Sequence, residues 1–342
     1  MNLSLNEKHT LFSSMITDEI LINVFGSTWF FDSIFVFVLT PSCFFGIILN
    51  MLSIFIFYKT IHKQTLLYKY LIIYSINNEF ICLILFFAFY VYSPRYVGLR
   101  FDYFARFFSC ILANSILAPI YLFGNLLDIL INIDRLSIFN VLFKKLAKIN
   151  INIIITGSIL LSIIINIPSI LRTYMMNDME AIDGAIKILH ENKSDIKYCG
   201  DGLLSTNFYL VGLNIFIRDI LSLILEIGLS VSVLIYFRNY KLKKIKLTQE
   251  NAANAKNDLK LTTMTIYLSM LAIVTHLAAF SLILSLYTDN QILQSTLTII
   301  AFFSIAVKHS YCFFIFYFFD SNFKSELKRF LARCKQKVNP NF

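Results

Sequence analysis

Residues 107–136 read FFSCILANSILAPIYLFGNLLDILINIDRL. From Phe107 to Ile133 the run carries one charged side chain, Asp128, and it ends on the pair Asp134-Arg135. A helix rises about 1.5 Å per residue, so about 20 apolar residues cross the hydrocarbon core of a bilayer. This stretch is long enough and apolar enough to do so. Working outward, the same reading applies to residues 30–58, 67–92, 149–171, 208–237, 261–287 and 292–319. Composition agrees. The 342-residue chain is 57% hydrophobic and only 15% charged, where soluble domains carry about 25% charge. Thirty-five Phe and eighteen Tyr beside ten Gly and five Pro exclude disorder, and six Cys exclude a disulfide-stapled miniprotein. The net charge of +9 is broken up by apolar runs, which favours a membrane over nucleic acid. The expected fold is an all-α integral membrane bundle of seven transmembrane helices, residues 30–319, between a tail at 1–29 and a second one at 320–342.

Lysine and arginine orient the bundle. With the N-terminus outside, 20 of the 30 basic residues fall on the inner side and 8 on the outer, and Arg218 and Lys308 lie within spans. That asymmetry is the positive-inside pattern. Residues 1–29 lack a basic start, a short apolar core and a small-residue cleavage site, so the first span is expected to serve as its own signal. Two glycosylation sequons, at Asn2 and Asn192, fall on the expected outer side.

Several residues stand at telling offsets. Cys110 precedes Arg135 by 25 residues, and Cys199 lies in the long link between spans four and five. Gly46 and Asn50 share the first span, with Asn78 and Glu79 following in the second and Pro168 near the end of the fourth. Across residues 30–334 this set resembles the rhodopsin-like G-protein-coupled receptors. Those receptors carry Asp-Arg-Tyr at the inner end of the third span, a cysteine 25 residues earlier, and a glycine–asparagine signature in the first span. The resemblance implies a Cys110–Cys199 disulfide. It also implies a coupling switch at Asp134, Arg135 and Leu136, and a heterotrimeric G protein as partner. Leu136 replaces the family tyrosine, the fourth span lacks its Trp, and spans five and six lack their prolines. The seventh-span Asn-Pro-x-x-Tyr is represented by Cys312, Phe313 and Phe316. The pattern is similar to invertebrate chemosensory and neuropeptide receptors. It implies an extracellular peptide or small chemosensory ligand and a plasma-membrane location.

Charges inside spans are costly and mark candidate sites. Here they are Glu79, Asp128, Arg218, Asp219, Glu226, Lys308 and His309. In the related receptors, the region of Asn50, Asn78 and Cys312 faces a bound sodium ion. Lys308 is expected to take that ion's place and to neutralise Asp128 or Glu79. An alternative is that some of these groups reach water. Amine receptors place an Asp 18 residues before the arginine; that position is Leu117, so amine ligands are not expected. Leu117, Arg218 and Asp219 are candidate contacts for another ligand. The opsin lysine position corresponds to Ala306, and the two residues to Lys308 turn the helix by about 200°. Residues 186–190 and 195–199 suggest a hairpin around a polar turn, with a flexible glycosylated loop as the alternative. After the seventh span, Phe323, Leu327, Phe330 and Leu331 oppose Lys324, Lys328, Arg329 and Arg333. That is an amphipathic eighth helix on membrane lipid, with Cys334 as a lipidation candidate. No catalytic or cofactor-binding motif occurs, so no enzyme activity, cofactor or metal is expected. The main rival reading is a transporter or channel that uses the intramembrane charges. A seven-span channel of the insect odorant-receptor type is inverted, and the charge ratio speaks against it.

Overall fold

Apolar chain in a bilayer must satisfy its backbone hydrogen bonds internally, which favours helices over every open alternative. The protein is represented by a computed structural model that describes residues 33–60, 66–92, 116–146, 148–176, 198–201, 216–244, 252–285 and 291–338. Helix α1 opens with a π-helical turn, Phe35–Leu39, and runs on through Thr40–Thr60. It is followed by α2 (Leu66–Tyr92), α3 (Leu117–Phe139) and, after a six-residue helical segment Val141–Leu146, α4 (Ile151–Arg172). Helix α5 again opens with a π-turn, Phe216–Leu221, and continues as Ser222–Lys244. Helices α6 (Ala252–Ser285), α7 (Gln291–Phe319) and α8 (Ser321–Val338) complete the chain.

The packing is a ring around one central helix. Helix α1 packs on α2 and α7, α7 on α6, α6 on α5, and α5 on α3. Helix α3 also touches α2, α4 and α6, so it contacts more of the bundle than its neighbours do. The distribution of polarity is inverted relative to a protein in water. Asn50, Asn78, Asp128, Asn132, Glu226, His276, Lys308 and His309 are buried, whereas Phe37, Met51, Ile153, Ile164, Val274 and Phe318 are each about two-thirds exposed on the outside. Such a surface is stable only against lipid. The chain is a multi-pass membrane protein.

Among the described residues, six helical stretches are long and apolar enough to cross a bilayer: Phe35–Thr60, Leu66–Phe89, Leu117–Phe139, Phe216–Tyr240, Leu259–Ala278 and Thr296–Phe319. The expected seventh, in α4, is represented by a shorter apolar stretch, Ile151–Ile167. Two other boundaries move. Helix α5 continues to Lys244 and α6 begins at Ala252, so both ends of the basic 238–260 link are helical. Among the described residues one small departure from helix occurs, in which β1 (Thr173–Met176) pairs antiparallel with β2 (Tyr198–Asp201), with Met175 in register with Cys199. The expected hairpin thus has its second arm displaced by a few residues. The partner of that arm is the segment that directly follows α4, and residues 186–190 lie outside the described residues.

Helix α8 is held by its first turn. Asp320 Oδ1 accepts from the backbone N–H of Asn322 at 2.8 Å and of Phe323 at 3.3 Å, an N-cap, and from Tyr68 Oη at 3.2 Å. Lys260 Nζ donates to Ser321 Oγ at 2.9 Å, tying α6 to the same turn. Phe323 is buried with its ring 5.0 Å from Phe57 and 5.3 Å from Phe313, and Leu327 is buried beside it. Lys328, Arg329, Arg333 and Cys334 are exposed. Asp320→Ala is expected to cost about 1 kcal/mol through the lost cap, up to about 2. The check is the melting temperature of detergent-solubilised protein, with proteolysis within α8 accelerating in parallel.

Candidate functional site

The polar side of α3 organises the interior. Tyr121, Asn125, Asp128, Asn132 and Arg135 recur every three or four residues, which puts them on one helical face, and all are buried. Asp128 sits at the middle of that stripe. Its Oδ2 accepts from Lys308 Nζ of α7 at 2.7 Å, with both side chains almost wholly removed from solvent. The Lys308 ammonium also lies 6.0 Å from the centre of the Tyr121 ring. Of the two carboxylates expected to meet Lys308, Asp128 does. Glu79 is only half-buried, and its Oε2 has no hydrogen-bond partner among the described residues.

A chain of weaker polar contacts extends from this pair. Cys312 Sγ donates to the Lys308 carbonyl at 2.8 Å and lies 3.6 Å from Tyr74 Oη. His309 Nδ1 is 2.8 Å from Asn78 Oδ1, and because that oxygen only accepts, Nδ1 carries the proton. Asn50 Nδ2 donates to the His309 carbonyl at 2.8 Å. Asn50, Asn78, Asp128 and Cys312 are thus each joined to Lys308 or His309, near the middle of α7. On the α6 side, Asn132 Nδ2 donates to Ser269 Oγ at 2.9 Å and Ser269 Oγ to Asn132 Oδ1 at 3.0 Å, alternative directions of one α3–α6 link.

Toward the α8 end of α3, Arg135 Nε donates to Asp134 Oδ2 at 3.0 Å, and Arg135 Nη2 reaches the same oxygen. Both residues are buried, as is Leu136. Asp134 lines a cavity of about 160 Å³ between α2, α3 and α4 with Tyr70, Ile133 and Ile154, whose walls are otherwise almost entirely apolar. Arg135 is thus the group that neutralises this carboxylate. Phe313 and Phe316 of α7, five and eight residues after Lys308, are members of the aromatic cluster around Phe57.

At the opposite end of α5, within the π-turn, Arg218 and Asp219 pair with each other. Nη2 donates to Oδ2 at 2.7 Å, and Nε donates to Oδ1 at 3.1 Å. The Arg218 carbonyl accepts from Asn125 Nδ2 at 3.4 Å. Their charges are matched internally rather than presented unpaired to a ligand. Leu117 is half-buried in a separate apolar cluster with Leu39, Phe89 and Ala306.

Two residues of the interior are absent from the sequence-based set. His276 of α6 places Nε2 3.4 Å from Glu226 Oε2 of α5, with both side chains about 1% exposed. Tyr121 lies between the two imidazoles, its ring centre 6.1 Å from that of His276 and 6.0 Å from that of His309. The helical repeat of polar residues along α3 is the sequence signal that points to Tyr121. His276 stands alone in an apolar run and gives none. Among the described residues, no three His, Cys, Asp or Glu side chains stand close enough to hold a metal. Asn2, Cys110 and Asn192 lie outside the described residues, and Cys199 is described only as part of β2.

No protein-family model matches the chain, and no curated protein matches it.

Proposed function

We propose that this chain is a G-protein-coupled receptor of the rhodopsin-like class, with α1 to α7 as its seven spans. Its N-terminus is extracellular, α8 lies along the inner leaflet of the plasma membrane, and Cys334 is the lipidation site. An extracellular peptide or small chemosensory ligand binds at the end of the bundle bearing Arg218 and the Cys110–Cys199 bridge. A heterotrimeric G protein binds at the other end. The apolar stretch in α4 is 17 residues long, about 26 Å of helix, which is at the short limit for a span.

The observation that carries this reading is the buried Asp134–Arg135 pair at the end of the helix that touches α2, α4, α5 and α6. Arg135 is a permanent cation held by a single neighbouring carboxylate in an apolar setting. Ligand binding favours a second packing in which α6 leaves α3, breaking the Asn132–Ser269 link. Arg135 then exchanges Asp134 for backbone carbonyls of an inserted G-protein helix. A ligand drives that exchange only as far as its differential affinity for the two packings allows.

The test uses surface-matched cells without ligand. Asp134→Asn is expected to free Arg135 and raise basal G-protein signalling several-fold, and Arg135→Ala to bring signalling to background. Equal basal signalling in both variants and wild type refutes the proposed switch. The rival reading, a transporter or channel, draws on the interior charges Asp128, Glu226 and Lys308. It requires them to line a path, whereas Asp128 and Lys308 neutralise each other at 2.7 Å.

A further inference from the structure

The buried charges of the central bundle do not balance. Asp128 is matched by Lys308 and Asp219 by Arg218, each at 2.7 Å. Glu226 is a third carboxylate, as deeply buried as Asp128, and neither lysine nor arginine pairs with it among the described residues. Among the described residues the ionisable group within ion-pair distance of it is His276, at 3.4 Å. Glu226 Oε1, both ring nitrogens of His276, His309 Nε2 and Tyr121 Oη are buried without a hydrogen-bond partner among the described residues. A bare carboxylate at such a place is too costly to persist, so a compensating positive charge must reside there. The smallest that fits is a proton.

We propose that Glu226 and His276 form a buried proton-binding site, holding one proton at neutral pH and taking up a second on acidification. With one proton the pair is neutral, either as carboxylic acid and imidazole or as carboxylate and imidazolium. Losing it to solvent leaves a carboxylate facing Asp128, which acts on Glu226 together with Lys308. A second proton, drawn from solvent, leaves carboxylic acid and imidazolium. That imidazolium faces Lys308 of α7 and Arg218 of α5, two like charges. The other groups that act on the pair are Tyr74 of α2, Tyr121 of α3 and His309 of α7, and Asp219 of α5 acts in turn on Tyr121. Either departure from one proton loads the α5–α6 contact with net charge. The proton is thus a ligand of the helix packing, and stability peaks between an acid arm and an alkaline arm. The proposal does not depend on coupling to a G protein, and neither does its readout.

Melting temperatures of the purified full chain in lipid nanodiscs, measured across both sides of neutrality, test it. Wild type is expected to show both arms. Glu226→Gln should lose the alkaline arm and keep the acid one, because no buried carboxylate remains to be bared. His276→Gln should lose the acid arm and keep the alkaline one. Parallel profiles for wild type and both variants overturn the proposal. So does a stabilisation of wild type by sodium over choline at fixed pH that vanishes in Glu226→Gln, since a metal cation then supplies the charge. Should Glu226→Gln fail to fold, infrared spectroscopy of His276→Gln at neutral pH decides. With the imidazole gone the proton must sit on Glu226, so a protonated-carboxyl band at least as strong as in wild type supports the site. Absence of any such band overturns it.

Discussion

Replacing Lys308 by methionine is expected to cost about 3–5 kcal/mol, because it strands the Asp128 carboxylate in the bundle. Among the described residues neither partner has a second salt bridge, and both are sealed from solvent. Asp128→Leu alone should be comparably damaging, since it strands the ammonium instead. The double variant Lys308→Met/Asp128→Leu removes both charges and should return to within about 1–2 kcal/mol of wild type, as a buried pair replaced by apolar groups is often near neutral. Folded surface protein and detergent melting temperature for the four members of this cycle measure the coupling directly. In cells, the single variants that still fold should signal without ligand, since the α3–α7 contact is broken. Wild-type expression and basal activity in Lys308→Met contradict the pairing. Additive losses in the double variant contradict it equally.

Gly46→Val is the second large effect. A Cβ at Gly46 stands 2.8 Å from both Cys82 Sγ and Ser310 Cβ, with Ser310 Oγ nearer still. Those neighbours belong to α2 and α7, so the glycine is where α1 approaches both helices closely. Small residues serve this purpose in membranes, where packing rather than water expulsion drives association. Overfilling the contact should cost about 1–3 kcal/mol and displace Asn50, one turn along, from the His309 carbonyl. Gly228 in α5 supplies the control. Its Cβ meets nothing within 4 Å, and Gly228→Ala should be neutral or stabilising by up to about 1 kcal/mol through helix propensity. A temperature melt of the two variants side by side separates local crowding from any general intolerance to substitution. Equal melting temperatures contradict the close approach.

The helical bundle and most of its helix boundaries were legible in the amino-acid sequence because hydrophobic length dominates in a bilayer. The errors fall where that signal fades. Residues 252–260 carry Asn, Lys and Asp and resemble a loop, yet three alanines favour helix and α6 extends through them. The strand partner of Tyr198–Asp201 was misplaced because four-residue strands have little pattern, and their partner is chosen by how α4 ends rather than by local alternation. Among the site residues, Lys308 and Asp128 were recognisable as charges too costly to stand alone. Which carboxylate Lys308 meets depended on the relative rotation of α2 and α3, which a linear pattern does not encode. His276 illustrates the limit. A single histidine in an apolar run acquires meaning only when α6 packs against Glu226 of α5.

The receptor reading is tested most directly with the purified full chain reconstituted into liposomes and presented with heterotrimeric G proteins. Nucleotide exchange and transmembrane ion flux are measured on the same preparation, for wild type and Arg135→Ala. The account predicts that wild type accelerates exchange on at least one G protein, that Arg135→Ala does not, and that neither conducts ions. Ion flux that depends on Lys308 or Glu226, with no exchange on any G protein, contradicts it and identifies a transporter or channel.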